Sequence, residues 1–565
     1  MCLKDDAYTD YYTAFATGEL RATPPTVLCS VPLNHIIHEN GKICGFRFHP
    51  CLCRYRTGMV IFMKVSGSLT LLQMAESGTL TGEIELDGAE YTLDRPLVIT
   101  KPVCIDGCGA HFSGTTPSGI MVYSGDVVLK NFTMDGFAIS ISVDAKGRTI
   151  SNIRISHVDV NDPGYGMVFN VGSTESDSRI EDIHFEDCTI RSAYDEKTFM
   201  ENGMFDGATA FMLTAASPSA ARQEDICRCS IDGLYIERCC AYGGRRYGVN
   251  MLAGIILPTE GFDFASQNAK VVDCTIRNVK ILDCVFDYCR EMAITLSCGT
   301  LMNYGSLFEN LEVARCRVVF GISGIGYSAA GPIIPTSVAR GMGVRNGSIH
   351  DNTLIQMELP VNEPNMAMGL CGGRAEGFGG VECYDSFVEN ISFYNNTVEN
   401  TMIGFAMTAA NALTDEKCCL AGNYLKNVDV YNNTFRNCEK VFFLTAAYGE
   451  ARRFDYDWGW YHKDQPWAPL LEDNHEQTIE YTGNYIENVD IHDNYACGCR
   501  YEIEATGASS RGHAVVKDNR LINIRYRNNI FDRSEGHVIV MPVYAHDWVT
   551  DAGGNETAMH LLYKK

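Results

Sequence analysis

Between residues 436 and 486 the chain gathers Trp458, Trp460, Trp467 and Tyr461 beside the acids Asp455, Asp457 and Asp464. Flat aromatic faces stack on the C–H faces of a pyranose ring, while carboxylates hold hydroxyls and move protons. Tyr448, Phe454, Tyr456, Glu472 and Asp473 surround this group. The same residues could instead pack a loop onto its own scaffold or onto another subunit. A second stretch, 357–388, carries Gly-rich GLCGGRAEGFGG from Gly369, then Glu382 and Asp385. Arg374, Glu376, Glu382 and Asp385 are its charged groups. The glycines do not make a phosphate loop, because the GxxxxGK[ST] spacing is absent and no helix signal follows. A third stretch, 191–230, offers Asp195, Glu196, Glu201 and Asp206, which read equally well as solvated loop acids.

These residues need a scaffold, and the chain holds a repeat that supplies one. Ten segments align without gaps over nine residues: NIRISHVDV from Asn152, DIHFEDCTI from Asp182, GLYIERCCA from Gly233, NVKILDCVF from Asn278, NLEVARCRV from Asn310, NGSIHDNTL from Asn346, NISFYNNTV from Asn390, NVDVYNNTF from Asn427, NVDIHDNYA from Asn488 and NIRYRNNIF from Asn523. An eleventh, GDVVLKNFT from Gly125, fits more loosely. Positions two and four are apolar and three and five polar, the alternation of a strand with one buried face. Position seven reads Asn131, Val158, Cys188, Cys239, Cys284, Cys316, Asn352, Asn396, Asn433, Asn494 and Asn529. A residue that recurs at a turn stacks on its equivalents, so a Cys ladder is expected in the first half and an Asn ladder in the second. Both should point inward. His350 and His492 share the outward fifth position and read as plain surface histidines.

The repeat also sorts the remaining features. Successive first positions lie between 27 residues apart (Gly125 to Asn152) and 61 apart (Asn427 to Asn488). The short spacings approximate a bare coil, and the long ones imply insertions at about 191–230, 241–270, 357–388 and 436–486. Crossovers this short leave little room for helices and exclude doubly wound and barrel α/β folds. Of the 24 cysteines, Cys51/Cys53, Cys227/Cys229 and Cys497/Cys499 form Cys-X-Cys pairs, without the spacing of a zinc site. No metal and no cofactor is expected. A net charge of −24 argues against nucleic acid and anionic membrane as partners. An acidic N-terminus without a signal-peptide pattern, together with reduced thiols, points to a cytoplasmic setting. Sequons such as Asn346 and Asn390 fall inside the repeat and read as its by-products.

The segment PLVITKPVCIDGCG from Pro96, followed by the Asn-bearing repeat, resembles the pectin-lyase-like superfamily of right-handed parallel β-helices. The resemblance implies an all-β solenoid over 79–540, with a β-rich N-terminal cap or small domain at 1–78 and a C-terminal cap or tail at 541–565. It also implies carbohydrate chemistry and, by analogy, a homotrimer. No subfamily's catalytic residues can be carried over. The leading expectation is a glycoside hydrolase or intramolecular glycosyl transferase acting on an oligosaccharide. One of Asp455, Asp457 or Asp464 would face one of Glu376, Glu382 or Asp385. Coils two apart lie roughly 10 Å from each other, within reach of the 5–9.5 Å carboxyl separations of glycosidases. Trp458, Trp460, Trp467, Tyr461 and Arg374 would bind the sugar. The alternatives are a polysaccharide lyase or uronate C5-epimerase, and a non-catalytic or tailspike-like glycan-binding protein.

Overall fold

In a computed structural model the chain winds into a right-handed parallel β-helix. The structure describes residues 37–39, 42–44 and 62–562, apart from 115, 162–165, 193–207, 218–223, 255–268, 299–301, 332–336, 358–364, 377–379, 414–416, 450–478, 511–512, 534 and 546–548. One coil contains four strands. After Gly422 these are Tyr424–Tyr431, Thr434–Arg436, Lys440–Gly449 and Ile479–Thr482. Each pairs in parallel with its counterpart one coil on: Val428 lies beside Val489, Phe435 beside Ala496, Leu444 beside Ala505 and Tyr481 beside Val516. We call the four resulting ladders the first to fourth sheets.

The repeat in the sequence is the first strand and its turn. Leu425, Val428 and Val430 point into the core. Between them Asn427 takes a left-handed conformation (φ 56°), which kinks the strand at the first repeat position. The sixth position is left-handed as well, as at Asp187, Asp283, Asp351, Asn432 and Asp493. Asn and Asp tolerate that region better than other side chains. The turn there aims position seven inward. Cys188, Cys239, Cys284 and Cys316 are buried and stacked on successive coils, as expected. The ladder then continues through Asn352, Asn396, Asn433, Asn494 and Asn529, each amide donating to the next at 2.9–3.0 Å. One position is corrected. Val158 pairs with Phe132, so Phe132 fills the seventh place and Asn131 is the left-handed residue before it. The loose segment from Gly125 was aligned one residue early.

The described parts of the segments expected as insertions are largely strand. Thr209–Ala216, Met366–Glu376 and Lys440–Gly449 belong to the third sheet, which Cys240–Gly254 joins after pairing in the second sheet through Cys240–Tyr242, and Ile226–Cys227, Val381–Tyr384 and Ile479–Thr482 belong to the fourth. The third strand hides from a search for alternation because both its faces are closed. From Val441 to Ala447 every side chain is buried. Such strands read as continuous apolar runs. A recurrent small-residue triplet, Thr408-Ala409-Ala410, Thr445-Ala446-Ala447 and Thr506-Gly507-Ala508, marks where this strand passes close to the opposite wall. A Cβ on Gly507 would meet the carbonyl oxygens of Pro542, Glu556 and Asn519 at 2.6–3.0 Å.

Phe62–Val65 already pairs in parallel with Gly82–Leu86, so the solenoid begins inside the segment read as a β-rich cap. The helix Ser68–Glu76 closes this end with Leu71, Leu72 and Met74 buried on the core. Residues 541–562 do not fold over the other end. His537–Ala545, Val549–Asp551 and Glu556–Leu562 continue the stack as one more coil, and Val543, Met559 and Leu561 stay only partly buried. No helix among the described residues is long and apolar enough to cross a membrane.

Candidate active site on the fourth sheet

The fourth strands are short, alternate in and out, and end on a left-handed residue. Val381-Glu382-Cys383-Tyr384-Asp385 shows the pattern, with Val381 and Cys383 in the core and Glu382 and Tyr384 outside. The outward residues form two rows. Arg340, Tyr384, Ala421 and Thr482 follow one another along one row; Val338, Glu382, Cys419 and Glu480 form the other. Parallel pairing therefore sets a cation, a phenol and two carboxylates within three steps of the sheet.

These groups touch. The Tyr384 hydroxyl donates to Glu382 Oε2 at 3.0 Å. The Arg340 guanidinium lies 4.9 Å from the centre of the Tyr384 ring, in cation–π contact. Burial, then the neighbouring Cys419 thiol and Glu382 carboxylate, push the Tyr384 phenol well above its ordinary range. The phenol therefore stays protonated. Burial also raises the Cys419 thiol, an effect the Tyr384 hydroxyl partly offsets. The exposed Arg340 is the free end of the site, placed to receive an anionic group.

The residues expected to carry the chemistry have separate fates. Asp455, Asp457, Asp464, Trp458, Trp460, Trp467 and Tyr461 lie outside the described residues. Glu382 is in the cluster. Glu376 closes a third-sheet strand, in register with Leu413, and so sits on a different sheet from Glu382. Asp385 is a turn residue: its φ is 54°, and its carboxylate lies against Gly422, the left-handed residue of the next coil. It belongs to a series with Gly483 and Asp518 that turns the fourth strand into the first. Arg374 is half-buried on the third sheet beside Asn411. The groove expected between two loops has one wall outside the described residues; what the described residues bring together is Arg340, Tyr384 and Glu382 on the fourth sheet. Arg340 and Tyr384 were missed. Their signal was present in the spacing of VARG, VECYD and IEYTG, each followed within six residues by the first-position Asn.

The histidines expected on the plain surface form part of an aromatic stack. His350, Tyr394, Tyr431 and His492 follow one another at ring distances of 4.7, 5.0 and 5.3 Å, with their planes nearly parallel. Of the Cys-X-Cys pairs, Cys51 and Cys53 lie outside the described residues. In the other two the second cysteine is buried and the first half-exposed, so their side chains diverge.

No protein-family model matches the chain, and no curated protein matches it. Among solved structures it is similar to a mutant of the periplasmic alginate epimerase AlgG, at 9% identity over 90% of this chain and 86% of that one, with a TM-score of 0.26. It is similar to the A-module of the Azotobacter vinelandii mannuronan C-5 epimerase AlgE4, at 9% identity over 86% and 96% of the two chains, TM-score 0.23. It is also similar to PfbA, a surface adhesin of Streptococcus pneumoniae, at 9% identity over 66% and 86%, TM-score 0.23. At TM-scores this low, none of these likenesses bears on the chemistry of this chain.

Proposed function

We propose that the chain is a carbohydrate-active enzyme that removes the C5 proton of a uronate unit, as a polysaccharide lyase or C5-epimerase does. The observation that carries this reading is the contact of Arg340, Tyr384 and Glu382 on one outward face. C5 of a uronate becomes acidic only when its carboxylate is neutralised, and Arg340 is placed for that. Glu382 then takes the C5 proton. In elimination the electron pair forms the C4=C5 bond, the C4–O bond breaks, and Tyr384 protonates the leaving oxygen. The phenolate left behind recovers its proton from Glu382 across their hydrogen bond, which resets the site. In epimerisation a water molecule instead protonates the carbanion on its other face, its O–H bond breaking, and Glu382 returns its proton to the hydroxide so formed.

A second reading rests on one further observation. Glu382 and Glu480 stand in the same outward row with Cys419 between them. Two steps of a sheet span roughly 10 Å, close to the carboxyl separation of inverting glycosidases. The discriminating experiment offers alginate, pectate and neutral glucans, and follows new C=C absorbance, deuterium entry at C5 in heavy water, and reducing ends. Unsaturated ends or C5 deuterium supports the first reading. Reducing ends alone, without unsaturation, replaces it with the second.

A further inference from the structure

The outer face of the first sheet carries a groove separate from the Tyr384 cluster. Tyr235, Lys280, Glu312 and Ser348 line it, with Asn278 and Asn310 along one side. Its end wall is an aromatic ring with a backing. His184 stacks on one face of Tyr235 at 4.2 Å and 22°. Asp182 holds His184 in turn at 2.9 Å. The other face of Tyr235 looks along the ladder towards Lys280, the next residue in register. In the larger aromatic row, His350 to His492, the two inner rings, Tyr394 and Tyr431, are stacked on both faces and present only their edges.

The rest of the groove suits hydroxyl groups. Lys280 and Glu312 pair at 3.4 Å on an exposed surface, giving ammonium donors and carboxylate acceptors side by side. Asn310 donates to Asn278 at 3.0 Å, and Asn346 donates to Asn310 at 3.2 Å. Each amide keeps a further N–H and a carbonyl lone pair for a ligand. Vicinal hydroxyls of a sugar pair with such mixed donor and acceptor sets, and its C–H face packs on an aromatic ring.

We propose that this groove is a glycan-binding subsite. A pyranose unit lies with its C–H face on Tyr235, its hydroxyls bridging Lys280 and Glu312 and reaching the amides of Asn278 and Asn310. It does not depend on the chemistry at Tyr384. The test is calorimetric titration of the full chain with cellohexaose, xylohexaose and hexaguluronate. At least one hexasaccharide binds, Tyr235→Ala weakens that binding about tenfold or more, and Tyr235→Trp retains it. Lys280→Met, a change on an exposed side chain, also weakens it and serves where Tyr235→Ala does not fold. Turnover of short substrates at the fourth sheet stays unchanged in both variants, which separates failure of this subsite from failure of the catalytic reading. The subsite is refuted if none of the three hexasaccharides binds at millimolar concentration, or if Tyr235→Ala and Lys280→Met bind like the wild type.

Discussion

Replacing Asn433 with Ala tests the internal ladder directly. The Asn433 Nδ2 donates to Phe393 O at 2.9 Å and to Asn494 Oδ1 at 3.0 Å. Its Oδ1 accepts from the Asn396 backbone N–H at 2.9 Å and from Asn396 Nδ2 at 3.0 Å. The variant loses all four bonds in a site where Asn433 is 1% exposed. Asn396 Nδ2 keeps partners at Ile349 O and Tyr394 O, and Asn494 Oδ1 keeps the Asn433 N–H. One group is stranded, the Asn396 N–H; the Phe393 carbonyl keeps its place in the parallel ladder beside Val430. At about 1–3 kcal/mol for an unsatisfied buried group, the expected loss is about 1–3 kcal/mol. Asn433→Cys should cost less, because thiols at this position already donate to the equivalent carbonyl, as Cys316 Sγ does to Ile281 O at 3.6 Å. Long solenoids need not unfold in one step, so the assay combines a denaturant midpoint with hydrogen exchange at the Asn396 amide. An Asn433→Ala variant within about 0.5 kcal/mol of wild type, with the Asn396 amide still protected, would refute the ladder argument.

Tyr384→Phe and Arg340→Ala should each lower turnover of a polyuronate by about 10²–10⁴, measured as unsaturated ends or C5 deuterium, while Glu480→Gln changes it little. Loss in Glu480→Gln with retention in Tyr384→Phe would favour paired-carboxylate hydrolysis. Because the chain carries a net charge of −24, binding of a polyuronate should tighten as salt rises from low levels, and weakening over that range would show that local cations such as Arg340 outweigh the net charge. Leu71→Ala in the capping helix should cost about 2–5 kcal/mol and expose the first coil to proteolysis. Burial alone would push Asp106 up, but hydrogen bonds from Asn131, the Cys108 N–H and Lys130 hold it down at about 2. Its folded value lies below the ordinary 3.8, so its contribution is present above about pH 4 and fades towards pH 2. Asp106 is partly exposed, so Asp106→Asn should cost under about 1 kcal/mol at pH 7 and progressively less as pH falls through 2, as thermal melts across that range would show.

The first strand of each coil was legible because it is closed on one face only. Alternation over residues such as Asn427–Val430 and a small or amide residue at position seven report a buried inner face and a ladder, whatever surrounds them. The Cys and Asn ladders followed from that pattern alone. Weak registration misplaced one coil, where Phe132 rather than Asn131 is inward. The third strand was not legible, since a segment buried on both faces, such as Val441–Ala447, has no polar partner positions to set a period. Its strands were therefore taken for insertions.

The site depended on the tertiary structure for a different reason. Residue types declared that Glu382 could do chemistry, but nothing in their order said that Asp385 is a turn residue and Glu376 part of another sheet. Arg340 and Tyr384 are far apart in sequence and meet only because parallel pairing sets Arg340 beside Tyr384 one coil on. Coil lengths vary with the lengths of the segments between strands, so sequence distance does not convert into distance along the axis. The sequence by itself determined the solenoid and its ladders, which are local patterns repeated; only the register between coils decided which outward side chains stand together.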